Sequence, residues 1–194
     1  MALTLRESYW ALKKKIDNSI KKAIRTIPDF PKNGIMFRDI TSLLEKPLIF
    51  KRVVNKIIGL ARKKKITKII GIESRGFIFA APVAAKLGLP LILIRKSGKL
   101  PGKVFKIKYN LEYGNDALEI NKTSLNKNDN IIVIDDLIAT GGTAIASSKL
   151  ISKINKKRIE YIFLIHLQDL PGLEKIIKLG HNVTAFCKFR EEEK

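Results

Sequence analysis

The stretch Ile131-Ile132-Val133-Ile134-Asp135-Asp136-Leu137-Ile138-Ala139-Thr140-Gly141-Gly142-Thr143 decides the fold. Ile131 to Ile134 is a continuous apolar run with β-branched residues, the pattern of a strand buried on both faces. Asp135 and Asp136 stand where that strand emerges at its carboxyl end. The Thr140–Thr143 turn then opens a helix through Ala144, Ile145, Ser147 and Leu150. Gly141 and Gly142 leave no side chain in the way, so several backbone N–H groups can face one anion at the positive helix end. Thr140 and Thr143 add hydroxyl donors. Two carboxylates beside a phosphate cradle would repel the phosphate. They suit something neutral and hydroxylated, such as a ribose, or a bound Mg²⁺. The stretch therefore asks for a sugar phosphate. The plainer alternative is a strand–turn–helix unit whose glycines only serve a tight turn.

Working outward, further buried runs alternate with helical ones. Lys68–Ile72, Pro90–Ile94, Ile159–Leu167 and Val183–Phe189 read as strands. Pro47–Arg62, Phe77–Leu87 and Pro171–Leu179 read as helices, the last two closed by Gly88 and Gly180. Lys106–Glu112 and Ala117–Asn121 alternate as an antiparallel pair. Pro28 is expected to end a first helix whose apolar face runs Leu5, Tyr9, Leu12, Ile16, Ile20 and Ile24. Asp29–Asp39 reads as loop. Buried strands alternating with helices predict an α/β fold, a mostly parallel central sheet flanked by helices. Ligands in such sheets sit at the carboxyl ends of the strands. Segments 73–76, 95–105 and 135–143 all follow strand ends and should converge on one crevice.

A chain of 194 residues fits a single domain over 1–194, with a first helix and loop over 1–45 and a core over 46–194. Hydrophobic residues make up 45% and charged residues 29%, a globular composition without an apolar run long enough to span a bilayer. Cys187 is the only cysteine, so no intrachain disulfide can form, which suits a reducing cytoplasm. Thirty-eight Lys and Arg against eighteen Asp and Glu give a net charge of +20. Attraction for nucleic acid is one reading of that excess. Compositional bias is the other, and it is favoured here. The lysines are dispersed, and aromatic residues at 7% are too few for base-stacking platforms. No specific nucleic acid and no membrane is expected as a partner.

Three other segments carry chemistry. In Glu73-Ser74-Arg75-Gly76-Phe77, Arg75 is placed to meet phosphate with a bidentate guanidinium. Arg95-Lys96-Ser97-Gly98-Lys99-Leu100-Pro101-Gly102-Lys103 reads as a flexible basic lid that closes over an anion and excludes water. Asn110–Gly114 would be its returning arm. In Pro28–Thr41, Phe37 either stacks on a flat base or packs into the core. Cys187, His166 and His181 read as structural.

Together these segments resemble the type I phosphoribosyltransferases, over almost the whole chain to about Phe189. Asp29-Phe30-Pro31 with Gly34–Ile40, Glu73–Phe77, Arg95–Gly102 and Leu111-Glu112-Tyr113-Gly114 resemble the adenine-using branch in particular. The resemblance implies a transfer from 5-phosphoribosyl 1-diphosphate to adenine, giving AMP and diphosphate. It also implies Mg²⁺, purine salvage, a homodimer and the cytoplasm. By the same resemblance, Ala139, Thr140, Gly141, Gly142 and Thr143 bind the 5-phosphate. Asp135 and Asp136 hold the ribose hydroxyls, directly or through metal-bound water, with no direct side-chain ligand to the metal. Ser74, Arg75, Lys96 and Lys99 hold the diphosphate. Ile35, Met36, Phe37 and Arg38 form the base pocket, closed by Leu170. Glu112 assists proton transfer at the base, with Tyr113 beside it on the substrate. Arg75, Lys99, Glu112, Asp135 and Asp136 are thus the expected catalytic group. Branches using hypoxanthine, guanine, xanthine or orotate, and a non-enzymatic regulator of transcription or RNA, are the rival readings.

Overall fold

The computed structural model of the chain describes residues 18–110 and 115–190. A short helix, α1 (18–23), leads into a two-stranded antiparallel ribbon of β1 (Arg25–Ile27) and β2 (Phe37–Asp39). Helices α2 (Thr41–Leu44) and α3 (Pro47–Lys63) follow. The body then alternates β3 (Lys68–Ile72), α4 (Arg75–Leu87), β4 (Leu91–Lys96), β5 (Val104–Asn110), β6 (Asn115–Asn121), β7 (Ile131–Ile138), α5 (Gly142–Ile151), β8 (Glu160–Leu167), α6 (Gly172–Lys178) and β9 (Asn182–Phe189).

The main sheet has the order β5-β6-β4-β3-β7-β8-β9. Strands β4, β3, β7, β8 and β9 are parallel, while β6 runs antiparallel to β4 and β5 antiparallel to β6. The near-continuous apolar runs of the central strands feed two cores, because successive side chains point to opposite faces. Ile69, Ile132 and Ile134 join α1, α3 and α4 on one face, through Ile20, Val54, Ile57, Phe79 and Val83. Ile70, Ile72, Ile131 and Val133 join α5 and α6 on the other, through Leu150, Ile151 and Ile176. The tyrosine of β8, Tyr161, is fully buried there, and its hydroxyl shares a 2.9 Å hydrogen bond with Ser147 Oγ.

Five expectations are corrected. The first helix ends at residue 23, not at Pro28. Residues 25–27 pair with 37–39, and Arg25 Nη2 donates to Asp39 Oδ2 at 2.6 Å, so part of the expected loop is ribbon. Of the first helix face, Ile20 and Ile24 are buried, whereas Leu5, Tyr9, Leu12 and Ile16 lie outside the described residues. Helix α4 begins at Arg75, two residues earlier than its apolar run suggests, which puts Arg75 and Gly76 in its first turn. Strand β7 runs on to Ile138 instead of stopping before Asp135. Its neighbour β3 accompanies it only to Ile134, but β8 pairs with it as far as Ile138. Finally, Arg95 and Lys96 belong to β4, and Val104 already begins β5. The basic lid segment is therefore a short turn between sheet strands.

Gly76 fixes how closely α4 lies on β7. A Cβ there would sit 2.5 Å from the carbonyl oxygen of Ile134 and 3.2 Å from Asp135 Cα. Both are backbone atoms of a central strand and cannot yield. Gly76→Ala is expected to destabilise the fold by about 1–3 kcal/mol, the usual cost of overpacking. Urea unfolding followed by circular dichroism checks this.

Candidate active site

The strands' carboxyl ends open onto a cavity of about 450 Å³. Its lining includes Glu73, Ser74, Arg75, Lys96, Tyr109 and Asp116 from one side, and Asp135, Asp136, Ala139, Thr140, Gly141 and Thr143 from the other. The convergence of the three loops therefore holds.

The turn at 139–143 is shaped by its backbone. Gly141, just before α5, has φ +86°, a left-handed conformation that glycine adopts without strain. A Cβ on Gly141 would meet Gly172 Cα at 2.8 Å. Gly172, at the start of α6, is equally confined, since its own Cβ would lie 2.2 Å from Ala139 O and 2.6 Å from Gly141 N. Gly172 N–H donates to Ala139 O at 2.9 Å, and Lys175 Nζ to Thr140 O at 3.3 Å. The turn is thus buttressed from behind, while the first N–H groups of α5, which have no partner within the helix, are left for an anion.

Asp135 and Asp136 lie side by side at the inner end of the cavity. Burial, and then the neighbouring Asp136 charge, holds the Asp135 carboxyl well above the usual carboxylate range. Burial also raises Asp136, against the opposing pull of the Arg75 guanidinium. Arg75 Nε is 2.9 Å from Asp136 Oδ2, but that buried oxygen accepts no aligned hydrogen bond.

The cations of the crevice each meet a carboxylate. Arg75 faces Asp136, Lys96 Nζ lies 3.1 Å from Asp116 Oδ2, and Lys99 Nζ donates to Glu73 Oε1 at 2.7 Å. Burial would raise Glu73, but hydrogen bonds from Lys99, the Lys96 amide and Arg95 outweigh it and bring the pKa down to about 2. The turn after β4 is pinned a second time by Glu119, which accepts from Ser97 Oγ and Gly98 N–H, each at 2.9 Å. Tyr109 of β5 lines the same cavity as Thr143 and Asp116, and burial raises its hydroxyl above the usual phenol range.

Ile35, Met36 and Phe37 are half-buried in and just before the ribbon strand β2. Phe37 packs edge-on to Phe30 with centroids 5.0 Å apart, and Arg75 lies 5.9 Å above its ring. Phe37 thus borders the crevice without sinking into the core. Arg38 is different: its side chain is buried, donates to Thr26 Oγ1 and to Arg190 O at 2.7 Å, and stacks on Phe189. Only its main chain is left to face a base. Leu170 sits in the turn between β8 and Gly172, half-buried. Ile35–Arg38, Leu170, Lys99 and Gly142 do not line the main cavity itself. Glu112 and Tyr113, with Leu111 and Gly114, lie outside the described residues.

Glu73, Tyr109, Asp116 and Gly172 carry the site but were not singled out from the sequence. A carboxylate preceding Ser-Arg-Gly offered a signal for Glu73, and Pro171-Gly172 after a strand offered one for the buttress. Tyr109 and Asp116 had none, because only strand pairing brings them to the cavity. Cys187 is buried in β9, and His181 is held by Ser148 Oγ at 2.7 Å, both as structural groups. Among the described residues no group of three or more His, Cys, Asp or Glu could hold a metal by itself.

The fold is that of the type I phosphoribosyltransferases. A family model for the phosphoribosyl transferase domain matches residues 39–178. An adenine phosphoribosyltransferase of Actinobacillus pleuropneumoniae is 51% identical over 170 residues, 88% of this chain and 95% of that protein. One of Actinobacillus succinogenes is 55% identical over 161 residues, 83% and 89% of the two chains. Among solved structures, the Giardia lamblia enzyme complexed with 9-deazaadenine superposes with a TM-score of 0.84 at 34% identity, covering 89% of this chain and 97% of that one. The Saccharomyces cerevisiae enzyme, complexed with an imino-altritol bisphosphate and adenine, gives 0.81 at 35% identity, covering 89% and 99%. The chain belongs to the phosphoribosyltransferase family, among the adenine phosphoribosyltransferases.

The raised Asp135 has a thermodynamic consequence. A group whose folded pKa exceeds its unfolded value contributes stability at low pH and loses it as pH rises through the folded value. At neutral pH Asp135 therefore contributes less to the ligand-free fold than it does in acid. Asp135→Asn is expected to raise the melting temperature at neutral pH and to flatten its decline from acid toward neutral pH. Scanning calorimetry across that range reads both effects.

Proposed function

We propose that this chain transfers the 5-phosphoribosyl group from 5-phosphoribosyl 1-diphosphate to adenine, releasing diphosphate and forming AMP. The observation that carries this reading is one cavity in which the paired carboxylates of β7 lie between an open helix-start turn and a cluster of cations. A phosphate fits the turn, a diphosphate fits the cations, and hydroxyls between them fit the carboxylates. The adenine-specific names of the relatives, in chains matched over most of their length, support the choice of base.

In this mechanism the bond at the ribose anomeric carbon breaks while positive charge builds on the sugar and negative charge on the departing diphosphate. Asp135 and Asp136 hold the ribose hydroxyls and orient the ring. Ala139–Thr143 anchor the 5-phosphate. Ser74, Arg75, Lys96 and Lys99 hold the diphosphate and stabilise the charge that accumulates on it, a contribution typically worth a few kcal/mol per donor. Phe37 stacks on the base, with main-chain groups of Ile35, Met36 and Arg38 reading its edge and Leu170 closing the far side. Glu112 manages the proton at the base nitrogen, and Tyr113 lies against the substrate. Closure of the basic segment that follows β4 keeps water from the reactive sugar.

Mg²⁺ suits the carboxylate pair. Asp136 Oδ2 has no aligned hydrogen bond, and two adjacent carboxylates attract a hydrated cation. Asp135 and Asp136 would hold the ion through water rather than as direct ligands. When bound, it neutralises charge on the diphosphate. The protein works as a homodimer in the cytoplasm, within purine salvage. No helix among the described residues is long and apolar enough to cross a membrane.

Incubation with Mg²⁺, 5-phosphoribosyl 1-diphosphate and each free base tests the substrate. AMP from adenine is expected, with far less product from hypoxanthine, guanine or orotate. Comparable turnover of a 6-oxopurine would overturn the adenine assignment. Replacing Asp135 and Asp136 together by Asn is expected to lower turnover by roughly a hundredfold or more, with steady-state kinetics as the readout.

A further inference from the structure

Glu73 is oriented unlike a substrate-binding residue. It lines the cavity, yet as an anion it repels the diphosphate and phosphate oxygens proposed to bind there. Three groups nevertheless converge on it. Lys99 Nζ donates to Oε1 at 2.7 Å, the Lys96 amide donates to Oε2 at 2.9 Å, and Arg95 Nη2 approaches Oε1 at 3.4 Å. The Glu73 side chain is only 8% exposed, against 50% for Lys99, so the carboxylate is fixed and the ammonium is the partner free to leave. Glu73 directly precedes Ser74 and Arg75, which hold the diphosphate in the reading above. The anion that retains Lys99 therefore sits at the edge of the place a diphosphate would take.

We infer that Glu73 is a positioning residue that stands in for the diphosphate: its carboxylate holds Lys99 until a diphosphate group displaces it. Lys99 thus has two exclusive anionic partners, and the second must outcompete the first. The exchange has two effects. It keeps the turn at 97–99 close to the sheet, so the lysine stays near the site in place of swinging through solvent. It also subtracts the Glu73–Lys99 attraction from the affinity for diphosphate, which weakens product retention. A second carboxylate, Glu119, holds the same turn through Ser97 and Gly98, so the turn keeps one anchor when Lys99 changes partner.

This inference rests on the proposed diphosphate site and deepens it. Glu73→Gln tests it, because the amide oxygen still accepts from the Lys96 N–H while the charge that holds Lys99 is gone. Calorimetric titration with magnesium diphosphate is expected to show binding tightened on the order of fivefold, the scale of a half-exposed ion pair. In a Lys99→Ala background the same substitution is expected to change the affinity by less than half as much, since Glu73 acts through Lys99. Weaker binding by Glu73→Gln, or an equal gain with and without Lys99, would overturn the inference. Hydrogen exchange of the ligand-free protein supplies a readout independent of diphosphate. Faster exchange of the Lys99 amide in Glu73→Gln, with unchanged exchange in β3 and β7, is expected. Unchanged exchange at Lys99 would overturn the stand-in role. A wild-type protein that fails to bind diphosphate would instead overturn the functional reading, while the exchange experiment still decides what Glu73 holds.

Discussion

Two carboxylates side by side at the end of a buried strand are difficult to ionise, and that constraint organises the site. Asp136 is buried and Asp135 partly so, so each charge loses solvation and each repels the other. The fold answers with one cation. Helix α4 starts at Arg75, and the close approach permitted by Gly76 sets that guanidinium against Asp136. The compensation is partial, because both carboxyls remain raised. The remainder is left for a ligand that brings hydroxyls or a cation of its own. A binding site here is stored as incomplete charge balance, and the substrate completes it.

The same logic extends across the crevice. Although the chain carries a net +20, its site is close to internally neutralised in the absence of ligand. Arg75, Lys96 and Lys99 each face a carboxylate at ion-pair distance. Surface lysines elsewhere are mostly solvated and set a general electrostatic background, attractive to anions but unspecific. Specific recognition needs partners exchanged at fixed positions. Rigid sheet ends supply those positions, and the turns between them supply the exchange.

The basic segment after β4 illustrates how pairing alters a loop. Taken by itself, Arg95–Phe105 has glycines and cations with little apolar surface, the features of a mobile lid. In the fold its first two residues extend β4, and β6 lies against them. Glu73 and Glu119 then fasten the turn that follows. The hairpin of β5 and β6 is continuous with the main sheet, and its Tyr109 lines the cavity together with Thr143. Anchoring is electrostatic and hydrogen-bonded, which lets an anionic ligand compete for the same groups.

Local pattern was enough to place most of the body. The buried runs of β3, β7, β8 and β9 are bounded by turn formers, and their periodicity leaves little choice of element. The order strand, Asp-Asp, spacer, Thr-Gly-Gly-Thr likewise marked the sugar-phosphate end of the crevice, because glycine and carboxylate chemistry is local there. Other features came only from tertiary pairing. The ribbon at 25–27 and 37–39 has no strong alternation of its own and exists because its two short segments meet. Strand β7 continues through Asp135 because β8 remains beside it, a fact absent from residues 131–138. The side chain of Arg38 is drawn to Thr26, Arg190 and Phe189, partners supplied by distant segments, which leaves its main chain to face the crevice. Gly172 buttresses the phosphate turn from 31 positions beyond Gly141, through a contact in which neither residue tolerates a Cβ. Sequence alone determined which residues carry charge, hydroxyl or open backbone. Three-dimensional packing decided which of those charges are paired, because ion pairing depends on distance and solvent exclusion between segments remote in the chain.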